Sequence, residues 1–148
     1  MTWKPNVTVA TVVMKDNRFL MVEETGEYGL VYNQPAGHLE PGESLVEAAV
    51  RETLEETAWH IEPRHVVGVY RWTSPANGLT YMRTCFAADC LRHEPERPLD
   101  EGIKRACWLS REEVAAAGER LRSPLVLACI DDYLAGNRFP LTLIHDFD

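Results

Sequence analysis

The segment from Glu24 to Thr57 constrains this chain more than any other. Gly26, Gly29, Pro35, Gly37, Pro41 and Gly42 crowd its first half, a density that opposes regular structure and predicts a long functional loop over residues 24–42. Directly after it, Ser44 followed by Glu47 forms a capping-box pattern, and no Gly or Pro interrupts the stretch to Thr57. That pattern predicts a helix. At about 3.6 residues per turn, Glu52, Glu55 and Glu56 project from one side of it, while Val46, Val50, Thr53 and Thr57 share a side suited to packing.

An acidic helix face is ordinarily a solvated one. Two details argue for more here. Like charges spaced i,i+3 and i,i+4 repel by roughly 0.2–0.5 kcal/mol each, and Glu55 and Glu56 lie near the helix C-terminus, where the macrodipole disfavours anions. A divalent cation removes both penalties, and hard carboxylate oxygens suit Mg²⁺, with Mn²⁺ as a substitute, rather than zinc. Arg51 has the spacing of a surface partner for Glu47 and Glu55. Its rigid fork is also suited to holding Glu43 or Glu55 in the orientation a metal shell needs.

Length and charge narrow the partners. The chain has 148 residues, 45% of them hydrophobic, and a formal net charge of −8. That size is expected to form a single domain over residues 1–148 around one core. The negative balance argues against polymeric nucleic acid, which needs clustered Lys and Arg, but leaves a small phosphorylated substrate open where a cation reverses the local field. The N-terminal residues lack a signal-peptide pattern, and no stretch approaches the length of apolar span that crosses a membrane. A cytoplasmic monomer or homodimer without membrane attachment is expected. Cys85, Cys90, Cys107 and Cys129 form no C-x-x-C pair and are expected to be buried free thiols.

The remaining elements follow from alternation and turn chemistry. Val7–Val13 and Arg18–Val22 flank Lys15-Asp16-Asn17 and predict a hairpin. His65–Thr73 and Leu79–Leu91, separated by Ser74-Pro75-Ala76-Asn77-Gly78, predict a second. A short strand is expected around Ala106–Leu109. Ser110 with Glu113 repeats the capping box for a helix ending near Gly118, and Ser123-Pro124 starts another that ends at Gly136.

Gly37, Glu43, Arg51, Glu52, Glu55 and Glu56 stand in the register of the Nudix box, G-x5-E-x7-R-E-U-x-E-E-x-G-U, with U a bulky apolar residue. On these positions the chain resembles the Nudix hydrolase family. Thr53 departs from the aliphatic position and Ala58 from the glycine, where an L-residue held left-handed costs roughly 1 kcal/mol. The resemblance implies an α+β Nudix fold, a mixed β-sheet sandwiched between helices. It also implies catalysis centred on Glu52, Glu55 and Glu56 with Arg51, and metal held by those three glutamates with the carbonyl of Gly37. Glu101 is a further candidate base or ligand, because many such enzymes place an acidic residue in the loop before the strand bearing Trp108. An exposed loop glutamate is its other reading.

The segments Pro5–Ala10, Asn33–Glu40, Leu121–Val126 and Phe139–Leu141 extend the resemblance to a bacterial phosphatase group within the family. That implies Mg²⁺-dependent hydrolysis of nucleoside di- and triphosphates, and of hydroxymethylpyrimidine pyrophosphate of the thiamine pathway, with release of orthophosphate. A pyrophosphohydrolase of another diphosphate, such as a nucleotide sugar or dinucleoside polyphosphate, is one alternative. A non-catalytic nucleotide-binding module is another, against which the intact acidic set weighs. Tyr28, Gln34, Arg71, Trp72 and Arg83 have the chemistry to line a pocket, although each singly reads as packing or solvated surface. His38 reads first as a loop residue.

Overall fold

A computed structural model describes residues 1–147 and shows an α+β fold. The strands are β1 (Asn6–Val12), β2 (Met14–Lys15), β3 (Arg18–Gly26), β4 (Gly29–Asn33), β5 (Ala36–His38), β6 (Trp59–Thr73), β7 (Thr80–His93), β8 (Ile103–Leu109) and β9 (Phe139–Pro140). The helices are α1 (Leu45–Thr57), α2 (Arg111–Ala117) and α3 (Leu125–Leu134).

Two sheets divide these strands. The first is mixed, in the order β5-β1-β7-β6-β9, with β1 and β7 parallel and the other pairs antiparallel. In the second, β3 pairs antiparallel with β2, β4 and β8. The expected hairpin of Val7–Val13 with Arg18–Val22 is therefore corrected. Met14 and Lys15 pair with Phe19 and Arg18, and Val13 O accepts from Leu20 N–H at 2.9 Å, around a tight turn in which Asp16 and Asn17 take positive φ of 52° and 62°, as these residue types tolerate. At Val13 the chain leaves one sheet for the other, because β1 finds its partners in β5 and β7 instead.

The expected loop over residues 24–42 is also corrected. β3 runs on to Gly26 and folds back from Gly29 as β4, and Ala36–His38 forms the edge strand β5. The glycines mark a hairpin turn here rather than a structureless run. The second hairpin forms as read and extends further, from Trp59 opposite His93 to Thr73 opposite Thr80.

Both capping boxes are complete. Ser44 Oγ accepts from Glu47 N–H at 3.1 Å while Glu47 accepts from Ser44 N–H at 2.8 Å, and Ser110 and Glu113 do the same at α2. At the other end of α1, Ala58 is left-handed with φ 63° and ψ 17°, and its N–H closes on Leu54 O at 2.9 Å. Ala58→Gly is thus expected to stabilise the protein by up to about 1 kcal/mol. Denaturant unfolding measures this, and an unchanged or lowered midpoint would show that the Ala58 methyl repays its strain by packing.

The core lies on both faces of the mixed sheet. Val9, Val66 and Phe86 pack against Ala48 and Ala49 of α1. On the opposite face Ala10, Val12, Val67, Cys85 and Ala87 meet Phe19 and Met21 of the second sheet, with Val114, Val126, Cys129 and Ile130 from α2 and α3. Cys85 and Cys129 are buried free thiols, whereas Cys90 and Cys107 are half-buried free thiols. Ala48, Ala49, Thr53 and Thr57 form the buried side of α1, with Val46 and Val50 only half-buried beside it. Thr53 does more than pack by its methyl. Its hydroxyl bonds Thr11 Oγ1 at 2.9 Å and Ala49 O at 2.8 Å, pinning α1 to β1. Among the described residues no helix is long and apolar enough to cross a membrane.

Candidate active site

The α1 face carries Glu52, Glu55 and Glu56 to the edge of the mixed sheet at β5. Carboxylate oxygens of Glu52, Glu55 and Asp100 lie within 4.8 Å of one another. Asp100 is fixed there by its backbone N–H, which donates to Glu55 O at 3.0 Å at the end of the helix. Asp100 and Glu101 are both exposed and neither lines the pocket; what separates them is that Asp100 places a carboxylate in this group and Glu101 does not. The structure thus brings Asp100, which the sequence reading missed, to the helix face and leaves Glu101 away from it.

Glu56 is only 7% exposed, buried between the acidic and packing sides of α1. Its Oε1 accepts from Ala36 N–H at 3.0 Å, tying the helix to β5. Burial pushes its carboxyl up to about 9, against the lowering effect of that hydrogen bond and with added repulsion from Glu52 and Glu24. Burial raises Glu52 and Glu55 as well, and Asp100 adds to the effect on Glu55. In the metal-free protein these groups resist carrying charge together.

Gly37 is needed for space, not for backbone conformation, since its φ is not left-handed. A Cβ at this position would overlap the Glu52 carboxylate. Gly37→Ala is expected to push Glu52 out of the cluster and lower turnover by about a hundredfold, the scale of an ångström-size misplacement, with the circular dichroism spectrum unchanged. Wild-type turnover in this variant would show that Glu52 tolerates displacement.

Arg51 sits at the centre of a carboxylate ring. Its Nε and Nη2 hold both oxygens of Glu43 at 3.0 and 2.7 Å, Nη1 reaches Glu52 at 2.8 Å and Glu55 at 3.3 Å, and Nη2 also donates to His38 O at 3.0 Å. Glu40 adds an ion pair at 3.2 Å. This forked contact holds the Glu43 carboxyl below the usual range and raises the guanidinium in turn. Lys could not reach as many acceptors.

From this cluster a pocket of about 920 Å³ opens between the sheets and the segment leading into α3, lined among others by Gly37, Glu52, Glu56, Trp72 and Arg83. Tyr28 stands at its mouth, 92% exposed, in the β3–β4 turn. Gln34 is wholly buried and supports Arg83 from behind, and exposed Arg71 falls outside the lining because strand alternation turns it to the opposite face from Trp72. His38 ends β5 and lines the pocket. Arg122 and Asn33 hold Glu24 at the wall at 3.2 and 3.4 Å. The acidic Glu24 and the basic Arg83 are wall residues that no local motif marks.

The raised Glu56 carboxyl has a consequence for stability. Unfolded, it loses its proton near 4.5; folded without metal, it keeps it up to about 9. Between these values the folded state binds the extra proton, so raising the pH favours unfolding, by up to about 1.4 kcal/mol per unit. Melting temperature in EDTA should therefore fall more steeply from pH 5 to 8.5 in wild type than in Glu56→Gln. Parallel curves would show that Glu56 ionises normally.

A loop, helix and edge strand that gather carboxylates about a forked arginine place the chain in a known class. The NUDIX domain family model matches residues 3–128, and the chain belongs to the Nudix hydrolase family. Phosphatase NudJ of Escherichia coli strain K12 is 44% identical over 146 residues, covering 99% of this chain and 94% of that protein. A Nudix hydrolase from Nitrosomonas europaea superposes with a TM-score of 0.95 at 47% identity, covering 97% of this chain and 98% of that one. A MutT Nudix hydrolase from Burkholderia pseudomallei shares the fold at 16% identity, with a TM-score of 0.74 over 88% of this chain and 98% of that one.

Proposed function

We propose that this chain is a Mg²⁺-dependent phosphatase, with Mn²⁺ as a substitute, that cleaves the terminal phosphoanhydride bond of nucleoside di- and triphosphates and of hydroxymethylpyrimidine pyrophosphate and releases orthophosphate. The convergence of Glu52, Glu55 and Asp100 within 4.8 Å, beside buried Glu56 and with Glu52 and Glu56 lining the pocket, carries the reading. An all-oxygen donor set of this size fits a hard divalent cation, and the missing Cβ of Gly37 leaves Glu52 its place in that set. Likeness to the NudJ phosphatases over nearly the full chain supports the choice of terminal cleavage.

Glu52, Glu55 and Glu56 would hold the metal together with the Gly37 carbonyl, and Asp100 extends the set. Bound there, a divalent cation supplies charge neutralisation for the phosphate oxygens and a more acidic water. The chain's own part is preorganisation. Arg51 fixes Glu52 and Glu55 through one guanidinium, the Ala36 N–H fixes Glu56, and the strand edge keeps the carboxylates from relaxing apart. Glu101, exposed on its turn, is an auxiliary base only where substrate draws that turn inward.

Phosphate release with and without a coupled pyrophosphatase tests this across nucleoside di- and triphosphates and hydroxymethylpyrimidine pyrophosphate in Mg²⁺. Direct orthophosphate from these substrates is expected. Signal only through the coupling enzyme would overturn terminal cleavage in favour of internal-bond hydrolysis.

A further inference from the structure

Arg83 on β7 is charged, 6% exposed, and turned into the pocket wall. Its hydrogen-bond partners are two amide oxygens and a thiol sulfur: Gln34 Oε1 at 3.0 Å, Asn33 Oδ1 at 3.3 Å and Cys129 Sγ at 3.8 Å, the last a thiol that Cys85 and Arg83 together hold down to about 7. Among the described residues no carboxylate lies within ion-pair distance of it, and nearby Glu24 is already held by Arg122. A buried guanidinium with no carboxylate in contact, and only the more distant Glu24 and the Cys129 thiol to answer its charge, is costly to keep. An anion arriving through the pocket would supply what the fold withholds.

The neighbours of Arg83 indicate what that anion belongs to. In the mixed sheet Arg83 stands opposite Thr8, and Thr8 opposite His38. Two residues back on β7, Tyr81 stands opposite Trp72, the rings stacked with centroids 6.1 Å apart and planes 25° apart. All five side chains line the same pocket. The floor therefore crosses four strands, from the β5 edge beside the acidic cluster, past Arg83, to an aromatic platform on β6. Three strand spacings make this about 14 Å, a length that accommodates a phosphate chain with an attached ring.

We propose that this floor is a linear recognition site in which Arg83 takes a phosphate oxygen of the substrate that is not the one attacked, and Trp72, backed by Tyr81, stacks on an aromatic heterocycle. It rests on the hydrolase reading only for which end of the substrate faces the carboxylates. Specificity here is for heteroaromatic di- and triphosphates over inorganic ones. Arg83 supplies a planar, charge-assisted contact, and the indole supplies a face that any heterocycle can use.

Calorimetric titration with ADP and with inorganic pyrophosphate tests this independently of turnover, using Ca²⁺ in place of Mg²⁺ as a hard cation of looser geometry. Wild type should bind ADP more tightly than pyrophosphate. Trp72→Leu should weaken ADP by about tenfold or more and pyrophosphate by less than about threefold, a gap of the size one stacking interaction provides. Arg83→Gln should weaken both by about tenfold or more, as expected for loss of a charge-assisted bond. Should Arg83→Gln fail to fold, Arg83→Lys keeps the charge without the fork and should still lose affinity for both. Equal losses on the two ligands in Trp72→Leu, or wild-type affinity in the arginine variants, would overturn the proposal. Normal binding by a protein that hydrolyses no nucleotide would leave this site standing while removing the hydrolase reading.

Discussion

Glu56→Gln is expected to lower turnover by about a hundredfold to a thousandfold, the scale of losing one preorganised electrostatic partner, while the protein stays folded. Gln matches the shape of the side chain that burial keeps protonated at neutral pH, so the hydrogen bond from Ala36 N–H survives and the fold loses little. What disappears is the capacity to become an anion. As a proposed metal ligand Glu56 would have to give up its proton to the cation, so the metal dissociation constant should fall by up to about tenfold per unit as pH rises toward 9, a dependence absent from Glu56→Gln. Metal titration at several pH values together with steady-state kinetics reads both effects. Wild-type turnover in the variant would remove Glu56 from the ligand set.

Arg51→Met is expected to cut both stability and activity. The guanidinium lies amid Glu40, Glu43, Glu52 and Glu55, and its side chain is 22% exposed. Removing it leaves four carboxylates without their counter-charge, at a cost of about 2 kcal/mol in folding free energy, below that of a fully buried pair because solvent screens part of the ring. Turnover should fall by about 10–100-fold, as supports of metal ligands commonly require. Arg51→Lys should recover part of the stability and little of the activity, since one ammonium cannot span Glu43 and Glu52 together. Equal rescue of both would reduce Arg51 to a point charge. Added Mg²⁺ should stabilise Arg51→Met more than wild type if the ring's repulsion is what destabilises it, and denaturation with and without the cation measures this.

Local chemistry was the legible part of the sequence. Ser44 with Glu47 and Ser110 with Glu113 announced two helix starts, and the spacing of Arg51, Glu52, Glu55 and Glu56 fixed the register of the acidic face. Partner choice was not legible in the same way. Nothing in Val7–Val13 states that it pairs with β7 rather than with the strand after the next turn, because alternation specifies a face and not a neighbour. The glycines at 26 and 29 read as loop signals when isolated, yet they bracket a two-residue hairpin turn. Asp100 and Glu101 are consecutive carboxylates, and what distinguishes them, the hydrogen bond from Asp100 N–H to Glu55 O and the place of the Asp100 carboxylate beside Glu52 and Glu55, is tertiary. Arg83 reads as an ordinary strand cation until the pairing of β7 with β1 and β6 closes over it. The departures at Thr53 and Ala58 were visible, but the Thr11 hydroxyl that Thr53 meets belongs to a different part of the chain.

The parallel pairing of β1 with β7 sets an order on assembly. Thr8 and Arg83 face each other across 83 − 8 = 75 positions, so β1 cannot be secured on its β7 side until most of the chain has been synthesised. The closure entropy of so long an intervening segment falls on the folding barrier and slows it relative to a local hairpin. Until then Val7, Val9 and Val12 present a β-branched edge with open backbone donors and acceptors, a template for pairing between nascent chains. The pocket floor, which needs Thr8 and Arg83 side by side, is completed by the step that also buries this association-prone edge.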